Sequence, residues 1–492
     1  MVYYEGVPVT VIPRQRDSMA KSQPAWLQDR TRGRFWLFSA VRDFVDQVAK
    51  SSPARLALIV FALVILVFTG LLSLPISSAA GIVTPLHDAL FTAVSAVCVT
   101  GLTTVSTALH WSFFGQLVIL IGMQVGGLGI LTMASLMALA VSRRLGVRGK
   151  LIAEQSMGGS GGSSGRLGEV GTLLRIVVLT SLVIEAALFL ALAPRFIIIG
   201  ESIPNAIWHG VFYAVSSFNN AGFTPHTDGL IPYETDLWIT MPVMVGVFLG
   251  SLGFPVLMVL LRGGFRYKNW NLHTKLTIEV SLILVAAGAI GWAALEWSNE
   301  ATIADLSVGD KIIHSVFASI MPRSGGFNLV DMNAIEPATR LMTDALMFAG
   351  GGSASTAGGI KVTTIAIMFL AIVAEARGDR DVKIHHRKIP EGTMRVAISV
   401  IMLGATLVLV GCGLLLPISG QSLDRVLFEV LSAFATCGLS VGLSAELPPE
   451  GKYVLSVLMF AGRVGTITLA SALALRQRRQ LFHYPEERPI IG

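Results

Sequence analysis

Charge is scarce in this chain. Only 14% of its 492 residues are Asp, Glu, Lys or Arg, against about 25% in an average soluble domain. With 53% hydrophobic residues and a mean hydropathy of +0.68, the shortage excludes an ordinary soluble protein and fits a polytopic membrane protein. Cysteine is scarcer still. Cys98, Cys412 and Cys437 stand alone, with no C-x-x-C spacing, which excludes a cysteine-based metal site; they read as small apolar residues in packed positions. The apolar stretches contain almost no His, Asp or Glu at catalytic or ligand spacing, which argues against a membrane-embedded enzyme. The phosphate-loop pattern G-x-x-x-x-G-K-[ST] is not met either. Ile360 separates Gly359 from Lys361, and Val362 follows, so ATP hydrolysis by this chain is not expected. The first ~50 residues are polar and basic, with no short apolar core before a small-residue site, so no cleaved signal peptide is expected.

What the chain has instead is apolar runs near the ~20 residues that cross a bilayer. They lie at about 55–74, 114–141, 173–193, 237–261, 276–295, 361–374, 394–416 and 453–475. The net charge is +6, and its basic residues crowd the amino terminus (Arg14, Arg16, Arg30, Arg32, Arg34) and alternate loops, such as those with Arg143, Arg144, Arg148 and Lys150 or with Arg262, Arg266 and Lys268. The intervening loops are acid-rich, with Asp228, Glu234, Asp236, Glu300, Asp305 and Asp310. This is a positive-inside pattern. It predicts both termini in the cytoplasm, and it reads the basic loops as topology signals facing a lipid bilayer, with no nucleic-acid partner.

Four segments repeat one another: Phe91–Gly101 (FTAVSAVCVTG), Phe212–Gly222 (FYAVSSFNNAG), Val316–Gly326 (VFASIMPRSGG) and Phe428–Gly438 (FEVLSAFATCG). Three share F-x-x-x-S-x-x-x-x-x-G; the third has Ile320 at the Ser position. The glycines recur roughly every 105–120 residues, a unit far larger than a solenoid repeat. Each repeat includes a short predicted helix that leads into its filter loop, at about 86–96, 204–217, 310–320 and 423–434. These are too short to cross ~30 Å of hydrocarbon and are predicted to be re-entrant. Non-helical backbone at membrane depth survives only where protein buries it or water reaches it, so the loops after these helices belong at the centre, lining an aqueous path. Helix carbonyl ends aimed at that path favour cations, extended backbone adds carbonyl oxygens, and glycine lets the backbone turn. The expected contributors are Val99, Thr100 and Gly101; Asn220, Ala221 and Gly222; Ser324, Gly325 and Gly326; and Thr436, Cys437 and Gly438.

The span after each filter segment carries small residues: Gly126–Gly129, Gly250–Gly253, Gly350–Ser353 and Gly462–Gly465. Close helix packing explains the first two. The third is different in kind. Gly350, Gly351, Gly352, Ser353, Ala354, Ser355, Thr356, Ala357, Gly358 and Gly359 contain five glycines and no large side chain, and Lys361 follows. This run is predicted to interrupt a spanning helix near mid-membrane. The fourth copy has Arg463 at the matching place. A charge within a span is a functional candidate by default, and Arg463 is expected to donate to carbonyls freed by the broken helix. The glycine-rich loop, Lys361 and Arg463 are read as a gate beneath the filter. Glu185, also mid-span, is read as a structural ion pair or interhelical hydrogen bond, and His209 and His314 as lying near the outer surface.

Together these residues resemble the Trk/Ktr/HKT superfamily of potassium transporters, and among them the KtrB-type membrane subunits. The resemblance covers nearly all of residues 50–492. It rests on the four filter segments, the Pro322–Phe327 variant of the third, the GGSASTAGGIK stretch at 351–361, Gly462–Gly465 and the terminal Tyr484–Glu487 and Gly492. Gly325, where Ala is usual, and Pro322, in place of a small polar residue, depart from the pattern. The resemblance implies an all-α fold of four M1–P-loop–M2 repeats around a pseudo-fourfold pore. It implies K⁺ as the transported ion, bound at the filter residues, with Na⁺ as an activator in some members and no organic cofactor. It also implies a homodimer on a cytosolic KtrA-like subunit that binds ATP or ADP. The expected segments are a cytoplasmic stretch at 1–50, repeats at 51–150, 151–262, 263–385 and 386–480, and a cytoplasmic tail at 481–492. A proton- or sodium-coupled secondary transporter is the alternative. The Gly/Ser-rich stretch 156–165 reads as a flexible linker.

Overall fold

The computed structural model describes residues 53–144, 168–264 and 266–465, almost wholly within the compact unit Ala57–Gly492. The expected linker at 156–165, the cytoplasmic stretch 1–50 and the tail 481–492 lie outside the described residues.

The described chain is helical, and its elements recur in one order: long helix, short buried helix, loop, second helix. The first round is α1 (Pro53–Leu72), α2 (Leu86–Val97) and α3 (Phe113–Arg144); the second is α4 (Gly168–Ile198), α5 (Ile203–Phe218) and the pair α6 (Leu237–Leu252) and α7 (Phe254–Gly263). The third is α8 (Leu272–Glu296), α9 (Val308–Ile320) and the pair α10 (Pro337–Phe348) and α11 (Val362–Ala376). A two-residue hairpin, β1 (Lys383–Ile384) with β2 (Arg387–Lys388), precedes the fourth: α12 (Glu391–Ser419), α13 (Leu423–Phe434), a short α14 (Leu443–Glu446) and α15 (Pro449–Phe460). A π-turn, Ala461–Gly465, continues α15.

Among the described residues, three helices are long and apolar enough to cross a membrane: Arg175–Ile198, Leu272–Glu296 and Glu391–Ser419; the bent pair α6–α7 makes a fourth. The first helix of each round turns large apolar side chains outward, among them Leu66 on α1, Leu190 on α4, Ile290 on α8 and Leu409 on α12. An apolar exterior of this kind needs lipid around it.

The four short helices match the sequence expectation to within two residues at each end. They start where the chain supplies local stops and caps. Pro85 and Pro204 fix the entry backbone of α2 and α5, and the Ser307 side chain accepts from the Asp310 N–H at the start of α9. Each then packs against the second helix of the preceding round: α5 on α3, α9 on α6, α13 on α10, and α2 on α15. The last pairing closes a ring in a linear chain. It is secured by the Lys452 ammonium, which donates to Asp88 Oδ1 at 2.7 Å, and by the Ser444 hydroxyl, which donates to the Thr103 carbonyl at 3.1 Å.

Two expectations about the spans change. The run 237–261 is not one continuous helix; it breaks at Gly253, whose φ is +93°, and bends by 101°. A Cβ there would meet the Ser353 carbonyl, and the Phe254 N–H leaves its own helix to donate to the Ala354 carbonyl at 3.0 Å. The second change is α10, which lies outside the apolar runs read from the sequence. Thr339, Thr343 and Asp344 make it polar, yet all three are buried.

Candidate ion filter and gate

Three short helices end in the same backbone figure, in which a serine carbonyl near the helix end accepts from the N–H five residues on: Thr100 N–H to Ser95 at 2.7 Å, Ala221 N–H to Ser216 at 2.8 Å, and Cys437 N–H to Ser432 at 2.8 Å. In the third, the Gly325 N–H donates at 2.7 Å to the carbonyl of Met321, four residues back and just past α9. Two residues before each filter glycine the backbone enters the left-handed region without glycine, at Val99, Asn220, Ser324 and Thr436, with φ of 54°, 58°, 83° and 46°. For β-branched Val99 and Thr436 this is a genuine outlier. Such strain costs about 1–3 kcal/mol per residue and persists only where the surroundings over-determine it. It recurs here four times at one register.

The glycines themselves form a closed ring. A Cβ built on Gly101 would strike the Ala221 carbonyl; on Gly222 it would lie 2.9 Å from Gly326 Cα; on Gly326, 2.6 Å from the Cys437 carbonyl oxygen; and on Gly438 it would strike the Thr100 carbonyl. Each glycine therefore faces the next repeat in turn, and the fourth faces the first. The oxygen against it belongs to the residue before the neighbouring glycine: Thr100, Ala221, Gly325 or Cys437. All four glycines have positive φ, so a side chain is unfavourable on conformation as well as on space. Eleven of the twelve expected filter residues are buried, and Gly222 is half-buried. Stacked backbone carbonyls around an axis can replace the hydration shell of an alkali cation. Cys437 is a free thiol, as are Cys98 and Cys412, and all three are buried.

The loop from Gly350 to Lys361 lies against this ring. Its ends are pinned by a parallel bridge between Ala349 and Ile360. The Thr356 hydroxyl donates to the Phe218 carbonyl at 3.1 Å, at the end of α5. Ser324, in the third filter segment, donates to the Thr436 carbonyl at 2.7 Å and accepts from the Gly358 N–H at 3.0 Å. Gly351, Gly352, Gly358 and Gly359 are buried in this contact, and Ser355 closes a turn onto the Gly352 carbonyl at 2.6 Å. Ser353 meets Thr363 at 3.1 Å, and Ala354 carries a positive φ of 55°. A Cβ on Gly351 would crowd Ala357, and one on Gly358 would strike the Thr436 hydroxyl.

Two cations hold the loop carbonyls. Arg463, 1% exposed, donates through Nη1 to the Thr356 carbonyl. Lys361 donates to the Ala357 carbonyl at 2.6 Å and the Gly358 carbonyl at 3.4 Å. Arg463 Nε and Nη2 find no partner among the described residues, and the π-turn that carries this arginine is a backbone form frequent at functional sites.

The small residues of the second helices have one shared job. Gly126, Gly250 and Gly462 lie so close to the Val97, Phe218 and Phe434 carbonyls that no Cβ fits. Each lets a helix back onto the carbonyl end of a short helix. Glu185 accepts from Gln124 at 3.0 Å and from Asn219 at 3.1 Å, the interhelical hydrogen bonding expected of it. His314 packs at the start of α9 beside Glu234, in one of the acid-rich loops. It is buried and donates to the Glu234 carbonyl at 3.1 Å.

Two charged residues were not singled out by the sequence reading. Arg323 is 2% exposed and donates to the Ser281 carbonyl and hydroxyl at 3.0 and 2.8 Å, fastening the third filter to α8. Glu429, fully buried in α13, accepts from the Ser440 hydroxyl at 2.8 Å and the Ser444 N–H at 3.0 Å, bracing the loop behind the fourth filter. A carboxylate on the buried side of a short helix was the available signal for Glu429. Nothing in the sequence links Arg323 to Ser281.

The family model described as "TrkH: Cation transport protein" matches residues 47–483. The chain is 34% identical to "Ktr system potassium uptake protein B" of Bacillus subtilis, covering 92% of this chain and 99% of that one. It is 36% identical to "Ktr system potassium uptake protein D" of the same organism, covering 90% and 97%. The crystal structure of the potassium transporter TrkH from Vibrio parahaemolyticus superposes with a TM-score of 0.62 at 18% identity, covering 83% of each chain. The structural likeness carries the fold of four helix–loop–helix repeats around a pore, and the sequence matches carry the family: this chain belongs to the TrkH family of cation transport proteins.

Proposed function

We propose that this chain conducts K⁺ into the cell, down its electrochemical gradient, through the filter formed by Val99–Gly101, Asn220–Gly222, Ser324–Gly326 and Thr436–Gly438. The observation that carries this reading is the closed ring of glycines, each against the carbonyl that precedes the next glycine. The names of the potassium uptake relatives support K⁺ as the ion.

The loop Gly350–Gly359 is the gate. Its backbone lies against the filter, and Lys361 and Arg463 put two positive charges beside the ions' exit. Like charges repel most strongly where water is excluded, so the closed loop blocks by electrostatics as well as by bulk. The chain works as a homodimer with both termini in the cytoplasm. A cytosolic KtrA-like, nucleotide-binding subunit opens the gate by binding more tightly to the open state, the only way a ligand shifts such an equilibrium. Na⁺ acts as an activator.

Rubidium-isotope uptake into liposomes tests this. Purified chain with a KtrA-like regulator should change its rate of rubidium uptake when ATP is exchanged for ADP, and K⁺ should compete better than Na⁺. Uptake that requires an imposed Na⁺ or H⁺ gradient would instead favour the coupled transporter. Uptake indifferent to K⁺ would remove the filter assignment.

A further inference from the structure

At the start of the second short helix lies a cluster that conduction does not use. Glu201 sits in the turn between α4 and α5, His209 on α5, and His226 in the loop after the second filter. His209 Nδ1 is 2.7 Å from Glu201 Oε2, and His226 Nε2 is 3.0 Å from Glu201 Oε1. One ligand atom from each residue lies within 4.8 Å of the other two. The rings are held by an aromatic wall. Phe196, fully buried, lies 5.6 Å from the His226 ring, and Tyr213 stacks on His226 with centroids 5.6 Å apart.

The ligand atoms already converge. The Tyr213 hydroxyl lies 2.9 Å from His226 Nδ1 and 3.3 Å from the Gly229 carbonyl. Without a metal, the Nε2–H tautomer of His226 donates to Glu201 and Nδ1 accepts from Tyr213. With a metal, the ring proton moves to Nδ1 and is donated to the Tyr213 hydroxyl, which frees the Nε2 lone pair and Glu201 Oε1 to bind the ion. The Tyr213 contact is then the outer-shell bond that usually orients a metal-bound histidine.

We propose that Glu201, His209 and His226 bind one divalent transition-metal ion of the Zn²⁺ class, and that the bound ion slows conduction. Two imidazoles with one carboxylate suit zinc and its neighbours over Mg²⁺ or Ca²⁺. Tetrahedral bonds of about 2.0–2.1 Å separate ligand atoms by roughly 3.4 Å, so small ring rotations complete the site. The Tyr233 hydroxyl, 3.3 Å from His226 Nε2 and 3.5 Å from Glu201 Oε1, stands beside the fourth position. Tyr213 also lies 6.2 Å from the Phe327 ring, which follows filter residue Gly326. Two side chains, Tyr213 and Phe327, thus link an ion here to the third filter segment, and the ion adds positive charge near the filter.

Binding is independent of the proposed function; the slowing of flux rests on it. Full-length, tag-free protein, stripped with chelator and titrated with Zn²⁺ by calorimetry, should bind one ion per chain, with Mg²⁺ and Ca²⁺ unable to compete. His209→Gln, His226→Gln and Glu201→Gln should each weaken binding by about tenfold or more. Zinc-edge X-ray absorption on the wild type needs no variant and should report two imidazoles with N/O bonds only. Wild-type protein that binds no zinc, or zinc bound equally by all three variants, overturns the site. In liposomes, zinc should reduce rubidium uptake and chelator should restore it. Zinc bound at this site with uptake unchanged overturns the effect on conduction and leaves the site standing.

Discussion

The third filter segment is built differently from the other three. In the first and fourth, a serine at the end of the short helix accepts the filter glycine's N–H, Ser95 from Gly101 and Ser432 from Gly438, both at 3.1 Å. In the second, Ser216 donates to the Phe223 carbonyl at 2.8 Å. The third has Ile320 at that place, and the Gly326 N–H reaches the Met321 carbonyl at 3.3 Å. Its serine lies inside the filter instead, where Ser324 ties Thr436 of the fourth segment to Gly358 of the loop. Three segments are held by a serine of their own helix. The third lacks that serine; it is fastened to α8 through Arg323 and tied through Ser324 to the element proposed to move. One ring can thus combine a fixed selectivity geometry with one segment that senses the gate.

The largest expected effect comes from breaking what all four share. Gly101→Ser forces a Cβ onto the Ala221 carbonyl at φ +93°. The K⁺/Na⁺ permeability ratio should fall by about tenfold or more, or ~1.4 kcal/mol of discrimination, measured by competition in liposomes. An unchanged ratio would mean that the ring does not discriminate.

Next comes the loop. Arg463→Ala removes the Thr356 contact, so basal rubidium uptake without the regulator should rise severalfold while the ion preference stays. Wild-type basal uptake in a folded variant would make the loop packing rather than a gate.

A paired test then separates the two kinds of segment. Ser324→Ala unties filter from loop and should raise basal uptake, with less than wild-type activation by the regulator. Ser95→Ala strands the Gly101 N–H, which costs about 1–3 kcal/mol, and should lower the melting temperature and the ion preference. Identical behaviour of the two variants would erase the distinction drawn above.

The smallest effect should come from Gly325→Ala, which introduces the residue that the family resemblance leads one to expect there. Its Cβ would lie 2.7 Å from Met321 Sδ and 2.8 Å from Val247 Cγ1. The thioether can yield, so a loss near 1 kcal/mol is expected, read as a modest drop in thermal stability. A gain in stability would show that the pocket has room to spare.

The sequence made the short helices legible because each combines a breaker, an amphipathic turn and a filter glycine within one window. The ring of glycines followed from their common offset, and Arg463 from the rarity of charge in a span. The break at Gly253 was not legible, since an apolar run with one glycine normally packs as a helix. Its cause is the Ser353 carbonyl, a hundred residues away in the chain. For the same reason α10 went unseen, as its polar residues face protein rather than lipid. Left-handed Val99 and Thr436 gave no signal because β-branched residues normally avoid that conformation.

The seam between α15 and α2 has a consequence for how the molecule is made. Three of the four junctions around the pore join neighbours in sequence, but the fourth joins the first round to the last, through Lys452 to Asp88 and Ser444 to Thr103. Gly101 meets its last neighbour only after more than three hundred further residues have been synthesised. At about 5–20 residues per second, the earliest filter segment waits tens of seconds in the bilayer before the surroundings that hold its left-handed backbone exist. During that interval an incomplete ring would be a leak.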